Sequence, residues 1–96
     1  MGDNMKEYGI LELLMDEITI EILSALKTKE YYVRELIKAI RRNPNAVVRR
    51  LKILEKYELI KSRVEGKLHR RKMLSLTEKG KEVSNAIREV YEIIKR

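Results

Sequence analysis

Basic side chains are concentrated in one segment of this 96-residue sequence. Between Arg41 and Lys72 there are 12 Lys or Arg residues against three acids, a local charge of +9 in a chain whose net charge is +7. The remaining residues include ten basic and twelve acidic ones, so the positive charge is local. A dense set of cations attracts phosphate from a distance and pairs with it on contact, which is the property of a polyanion-binding site. Double-stranded DNA is the first candidate.

Residues that could support catalysis are sparse by comparison. The chain has no Cys, and its single His, His69, lies inside the basic segment. Disulfides, thiolate metal sites and multi-histidine metal sites are therefore excluded, and there is no Gly-rich phosphate loop. Acidic neighbours such as Asp16 and Glu17 point to different faces of a helix and do not form a carboxylate pair. We expect a binding protein that is not an enzyme and needs no cofactor or metal.

Length and hydropathy limit the architecture further. Ninety-six residues correspond to one domain, here residues 1–96. No stretch approaches the ~18 apolar residues of a membrane span. The first four residues lack the basic-then-apolar layout of a secretory signal. We expect a cytoplasmic protein with no membrane partner.

Helical periodicity predicts the elements that position the basic residues. Apolar residues recur at spacings of three and four from about Lys6 to Lys27, and Asp16 could break this stretch by capping a second helical segment. The same period resumes in residues 33–40. Asn43 and Pro44 are a strong helix-start signal, because Asn accepts hydrogen bonds from first-turn N–H groups and Pro suits the first helical position. The third helix is therefore expected from Pro44 to about Tyr57.

The second half of the sequence predicts a hairpin and a final helix. Apolar and polar residues alternate in 60–65 and again in 73–76, and Gly66 stands where the turn between these strands needs a permissive backbone. Thr77 is suited to cap a helix that runs to the C-terminus. The predicted fold is mainly α with a small β-hairpin (α+β), in the order helix-strand-helix-helix-strand-strand-helix. Its parts are an N-terminal helical segment (1–27), two helices joined by a turn (33–57), a hairpin (60–76) and a terminal helix (77–96).

Five segments in this order carry a family resemblance: VRELI (33–37), NPNAVVRRLKIL (43–54), LI (59–60), EGK (65–67) and LTEKG (76–80). With them the chain resembles the winged helix-turn-helix transcription regulators of bacteria and archaea, the broad group that includes the ArsR-like and MarR-like families. The resemblance spans roughly residues 21–80. It departs from the family pattern at Arg41 and Arg42, where Gly and an apolar residue are common, and at Glu58, where Gly is common. Asn45 and Ala46 stand where Ser and Thr are frequent, so no base preference carries over.

The third helix separates into two faces at 100° per residue. Val47, Leu51 and Leu54 face the core, whereas Asn45, Arg49, Lys52 and Lys56 lie opposite. An α-helix fits the DNA major groove, and in this motif its N-terminal residues reach deepest. We therefore expect Asn45 to contact adenine, Arg49 to contact guanine, Ala46 and Val48 to touch thymine methyl groups, and the two lysines to bind phosphates. The full predicted DNA-binding set is Arg41, Arg42, Asn43, Asn45, Ala46, Val48, Arg49, Arg50, Lys52, Lys56, Arg63, Lys67, His69, Arg70, Arg71 and Lys72.

Two plainer interpretations stay open for the basic residues. The charges on the third helix could form an ordinary solvated face, although only Glu55 balances them. The predicted hairpin at residues 60–76 corresponds to the wing of such regulators. Its cations, in residues 63–72, could merely keep the sheet edge soluble. We favour contact between the wing and the DNA backbone, with one Arg in an adjacent minor groove.

The last helix carries a separate apolar stripe with spacings of 4-3-4. The resemblance implies a homodimer, because terminal helices commonly form the interface in such regulators. The alternative is that the stripe packs on the first helix of its own chain. The predicted interface residues are Ile10, Leu13, Leu14, Val83, Ile87, Val90, Tyr91 and Ile94.

The sequence therefore predicts a small dimeric, sequence-specific DNA-binding transcription regulator, most simply a repressor that acts by occupying its site. A nucleoid-associated protein of low sequence specificity is one alternative. A winged-helix protein-interaction module is another. Whether a small-molecule effector is sensed is left open.

Overall fold

The computed structural model describes residues 9–96, which form five helices and a three-stranded antiparallel sheet. The sheet order is β1-β3-β2, the class is the one predicted, and the element order differs from the prediction only in that two helices precede β1. The part of the predicted first helix before Gly9 lies outside the described residues. The elements are α1 (Gly9–Leu14), α2 (Glu17–Thr28), β1 (Tyr31–Tyr32), α3 (Val33–Ile40), α4 (Pro44–Lys56), β2 (Ile60–Glu65), β3 (Arg71–Leu76) and α5 (Glu78–Lys95).

The N-terminal helical stretch is interrupted at Asp16, as its capping chemistry predicts. The Asp16 carboxylate accepts a hydrogen bond from the backbone N–H of Thr19 at 3.1 Å and another from the Thr19 hydroxyl at 3.3 Å. These bonds satisfy first-turn groups that would otherwise have no partner. The chain therefore restarts as α2 in a new direction.

A tight turn joins α3 to α4. Arg41 adopts the left-handed conformation with φ of 59°, and its N–H donates to the carbonyl of Ile37 at 3.2 Å. The Asn43 side-chain oxygen accepts from the N–H groups of Asn45 and Ala46 at 2.9 and 3.2 Å, and Pro44 begins the helix. A residue with a Cβ tolerates this conformation at a modest cost, so an Arg can stand where related sequences use Gly.

One apolar core connects the helices to the sheet. Val47 and Leu54 of α4 are fully buried and Leu51 nearly so, as the predicted helix face requires. They pack among residues from every helix up to α4 and from strands β2 and β3. The buried cluster is Leu14, Ile22, Leu23, Leu26, Leu36, Val47, Leu51, Leu54, Leu59, Ile60, Leu74 and Leu76.

The hairpin is longer than the sequence pattern predicts. Strand β3 begins at Arg71 and not at Met73, because the ladder continues through Val64 opposite Lys72 and Glu65 opposite Arg71. Arg71 and Lys72 therefore lie in a strand and not in the loop. Gly66 follows β2 with φ of 97°.

The start of α5 is bonded to the short segment between α4 and β2. Thr77 accepts a hydrogen bond from Gly80 N–H at 2.9 Å, and its own N–H donates to the Leu59 carbonyl at 3.1 Å. Glu58 adopts the left-handed conformation with φ of 61°. This junction orients the terminal helix relative to the wing. Across residues 9–96, no helix has the length and apolar character needed to cross a membrane.

Candidate nucleic-acid interface

The outer face of α4 is exposed and positively charged. Asn45, Arg49, Lys52 and Lys56 are all exposed, which agrees with the predicted helix face. Within residues 9–96, their side chains make no hydrogen bond or ion pair with the rest of the chain. Three cations without an intramolecular partner on one helix face form a surface that can bind phosphate without first breaking a contact. We call these four residues the free face of α4.

Other members of the predicted set flank this face. Ala46 and Val48 are half-buried beside it. Arg41 is exposed at the preceding turn. The side-chain oxygen of Asn43 is occupied by the helix cap, so only its amide group remains for a ligand.

Arg50, in contrast, is turned toward the body of the protein. Its guanidinium binds the Asp16 carboxylate in a bidentate pair, with Nε–Oδ2 and Nη2–Oδ1 distances of 2.6 and 3.2 Å. Its remaining nitrogen donates to the Ala46 carbonyl at 2.9 Å. The side chain is only 20% exposed. The structure thus places Arg50 as a support of α4, with each of its three guanidinium nitrogens bonded to its own chain, and its contact with DNA stays a prediction.

Arg42 is also held by acids of α2. Its Nε and Nη2 lie 3.1 and 2.9 Å from the two carboxylate oxygens of Glu21, and Nη2 lies 3.6 Å from Glu17. The side chain is more exposed than that of Arg50, but its donors point at these carboxylates. The structure thus places Arg42 as a support of the turn before α4.

These ion pairs shift the pKa values of the side chains that form them. The hydrogen bond from Arg50 lowers the pKa of Asp16 from an ordinary 3.8 to about 2, although partial desolvation opposes the change. The hydrogen bond from Arg42 likewise lowers the pKa of Glu21. Hydrogen bonds from the same carboxylates raise the pKa values of both arginines. The acidic edge of α2 therefore holds the helix-turn-helix by two bidentate ion pairs.

Replacing Asp16 with Asn tests this support, because Asn can still cap α2 but cannot form the ion pair. We expect the variant to lose about 1–2 kcal/mol of unfolding free energy near neutral pH, since a charge-assisted bidentate pair is removed from a partly buried site. The pKa of Asp16 is lower in the folded state, so its stabilisation is full above pH 3.8 and is lost as the pH falls toward about 2. Urea unfolding at several pH values should show the two proteins converging in acid.

Glu12→Gln provides the matched control, because Glu12 is an exposed carboxylate on the neighbouring α1. We expect its unfolding free energy to follow that of the unmodified protein. A constant difference between Asp16→Asn and the unmodified protein from pH 7 to pH 2 would contradict the ion-pair account.

Three basic residues in the strands of the wing also have partners within the chain. Arg63 donates to both oxygens of Glu30 at 2.6 and 3.1 Å and to Glu65 at 3.0 Å. These bonds raise the pKa of Arg63 and lower that of Glu30. Arg71 lies over the ring of Tyr32 at 4.5 Å from its centroid. Lys72 lies 3.6 Å from Glu55.

The cations at the tip of the wing remain available. Lys67 and Arg70, with His69 between them, are exposed in the loop between β2 and β3. No ion pair or hydrogen bond engages their side chains within the described part of the chain. Like charges crowded into one hairpin repel each other. The structure shows that acids relieve this repulsion at the base, including Glu30 from outside the basic segment, and leave the tip charged.

Sequence reasoning missed the acids that organise this surface. Asp16 was expected only as a cap, and Glu21 and Glu30 were not assigned a role. Their basic partners are 34, 21 and 33 residues away in sequence, so no local spacing connects them. Within residues 9–96, no three acidic or His side chains gather as a metal site would require.

The apolar stripe of α5 divides between the core and solvent. Val83 and Ile87 pack against the core, whereas Val90, Tyr91 and Ile94 are 41%, 57% and 76% exposed. Beside the exposed end, α2 and α5 enclose an open groove of ≈ 660 Å³ whose lining includes Leu23, Ile87 and Tyr91.

The residues of α1 in the predicted interface also differ in exposure. Ile10 and Leu13 are half-buried. Leu14 is 7% exposed and belongs to the core of its own chain, so little of its side chain is left for a partner subunit. Two exposed apolar residues of this region, Leu11 and Met15, were not predicted.

A helix-turn-helix followed by an antiparallel wing, with a free basic face on its second helix, defines the winged helix-turn-helix class. Residues 16–62 match a family model described as bacterial regulatory protein, arsR family. The chain belongs to the winged helix-turn-helix transcription regulators, which bind DNA.

Solved structures agree with this assignment. A PadR family transcription regulator from Clostridium difficile is 30% identical, with 83% of this chain and 92% of that chain covered and a TM-score of 0.77. Diamide-treated YodB from B. subtilis is 23% identical, covers 91% of this chain and 87% of its own, and has a TM-score of 0.81. HlyU from Vibrio cholerae is 21% identical, with coverage of 98% and 97% and a TM-score of 0.69. A comparison with curated proteins gave no match.

Proposed function

We propose that this regulator recognises a specific DNA sequence and acts as a repressor by occupying it. The observation that carries the proposal is the free face of α4. The side chains of Asn45 and three cations point away from the core there, and none has an intramolecular partner among the described residues. α4 would enter the major groove, and the wing would rest on the flanking backbone. A cytoplasmic location belongs to this proposal, since DNA is the target.

The positions along α4 suggest that some of its residues contact bases and others contact phosphates. Asn45 and Arg49 lie in its first two turns, where a recognition helix comes closest to base edges. Asn can bind adenine and Arg can bind guanine, each through two hydrogen bonds. Lys52 and Lys56 lie farther along and would bind phosphates, which fix the register without reading sequence. The proposed activity is binding, and no catalytic step is part of it.

We further propose that the protein acts as a homodimer through the end of α5. Four large apolar side chains of its last two turns, Val90, Tyr91, Ile93 and Ile94, are between 41% and 76% exposed. An exposed apolar surface of this kind marks an interaction site in a soluble protein. It continues into the groove between α2 and α5. A two-fold dimer would place two α4 helices in successive major grooves about 34 Å apart.

Introducing two acids into the exposed end of α5 tests the dimer. We expect Val90→Glu combined with Ile94→Glu to yield monomers, because two buried charges without partners oppose association. These positions are preferable to Ile87, which packs on the core and would also affect folding. Sedimentation velocity measures the oligomeric state, and far-UV circular dichroism confirms that the helices are retained.

Lys81→Glu is the matched control, because it changes the net charge by the same two units at an exposed position near the start of α5. It should leave the oligomeric state unchanged. A double variant that still sediments as a dimer would place the interface elsewhere.

Selection of bound fragments from genomic DNA, followed by hydroxyl-radical footprinting, tests the proposed function. We expect two protected half-sites separated by about 10 base pairs and related by a near two-fold axis. Continuous protection along any fragment, with no common sequence among those selected, would instead support the low-specificity nucleoid-associated function. A failure to bind DNA at low salt would leave the protein-interaction alternative.

A further inference from the structure

The most exposed large apolar side chain of the described residues is at the tip of the wing. Leu68 is 91% exposed, and the next most exposed, Ile94, is at 76% in the proposed dimer surface. A Leu at this position contributes almost nothing to the core, because it has no apolar neighbours to pack against. The side chain is therefore available to a ligand.

The turn geometry fixes Leu68 at the apex. Gly66 has φ of 97°, and a Cβ built on it would lie 2.6 Å from the His69 carbonyl oxygen. Residues 66 and 69 therefore approach each other closely, and the two residues between them form the end of the wing. Lys67 and Leu68 are thus the first groups of the wing to meet whatever it touches.

The neighbours of Leu68 in sequence are basic. Lys67, His69 and Arg70 flank it and are exposed. The nearest acid in sequence, Glu65, is engaged by Arg63 and by the Tyr32 hydroxyl at 3.4 Å. An apolar side chain between phosphate-binding groups matches the minor groove, which has phosphates along both edges and apolar sugar surfaces as walls. Leu is one of the side chains that insert between base steps from this groove and bend the duplex.

We propose that Leu68 enters the minor groove next to the α4 contact and wedges into a base step, bending the DNA toward the major groove. Unstacking is easiest at pyrimidine–purine steps, so Leu68 would give the protein a preference for TA or CA/TG at the wing position. This preference acts where no hydrogen bond reads a base. The proposal rests on the proposed DNA-binding function and adds a specificity-determining residue to it.

The test compares Leu68→Ala with Lys67→Gln on a selected duplex that carries either TA or AA at the wing position. Binding is measured by fluorescence anisotropy, and bending by energy transfer between dyes at the two ends. For the unmodified protein we expect a bent complex and tighter binding to the TA duplex. Leu68→Ala should lose about tenfold in affinity for TA, the bend and the step preference, because one buried apolar side chain is removed.

Two further measurements distinguish the loss of the Leu68 wedge from a general loss of DNA binding. The melting temperature and the salt dependence of affinity should be unchanged in Leu68→Ala. Lys67→Gln should keep the bend but bind with a shallower salt dependence, since one phosphate contact is lost. Equal affinity and equal bending for Leu68→Ala and the unmodified protein would overturn the wedge while leaving DNA binding intact. If the unmodified protein binds neither duplex, the proposed function itself fails.

Discussion

Gly80→Ala is expected to destabilise the protein by about 2–4 kcal/mol, although Ala is normally the better helix former by about 1 kcal/mol. The reason is a close backbone approach at the start of α5. A Cβ on Gly80 would fall far inside contact distance of the Leu59 carbonyl oxygen and 2.9 Å from its carbon. Since backbone cannot rotate away as a side chain can, α5 would have to separate from the segment between α4 and β2. Urea unfolding followed by circular dichroism measures the loss.

Gly9→Ala is the matched control for this prediction. A Cβ at Gly9 meets no atom within 4 Å, and the residue is exposed at the start of α1. The substitution should be neutral or slightly stabilising. If Gly80→Ala unfolds at the same urea concentration as the unmodified protein, the close approach of Gly80 to Leu59 does not hold α5 in place.

Arg49→Ala is expected to weaken binding to the selected sequence by about 1–3 kcal/mol and to relax preference at one base pair. Arg49 is exposed on the free face of α4, in the part of the helix proposed to approach the bases. The loss should be smaller for random DNA, where no base contact is made. Repeating fragment selection with the variant gives the preference at each position.

The neighbouring Arg50 provides a sharp comparison. Arg50→Ala should lower the unfolding free energy and weaken binding to all sequences alike, because it removes the support of α4 by Asp16 and not a contact with a base. If Arg50→Ala relaxes one base position while Arg49→Ala does not, the assignment of the two arginines is reversed.

The fold could be derived from local sequence signals because each boundary has a local cause. Asp16, Asn43 and Thr77 all accept the first-turn hydrogen bonds that the sequence predicted, and α4 buries the apolar face expected from its 3.6-residue period. The left-handed Arg41 and Glu58 occupy positions that the family pattern marks as Gly.

The division of the basic residues could not be derived in this way. Arg49 and Arg50 are adjacent and chemically identical, and only packing shows that one faces solvent while the other binds Asp16, 34 residues earlier. The burial of Leu14 and the close approach of Gly80 to Leu59 depend equally on contacts between distant segments. Local patterns therefore predicted the exposed basic face of α4, and tertiary contacts determined which of the basic side chains are free.

We propose above all that the free face of α4 reads a specific DNA sequence. The most direct measurement is the ratio of dissociation constants for random and selected duplexes, determined by fluorescence anisotropy at physiological salt. We expect the selected duplex to bind at least about 10³-fold more tightly. Equal affinity for the two duplexes would contradict it.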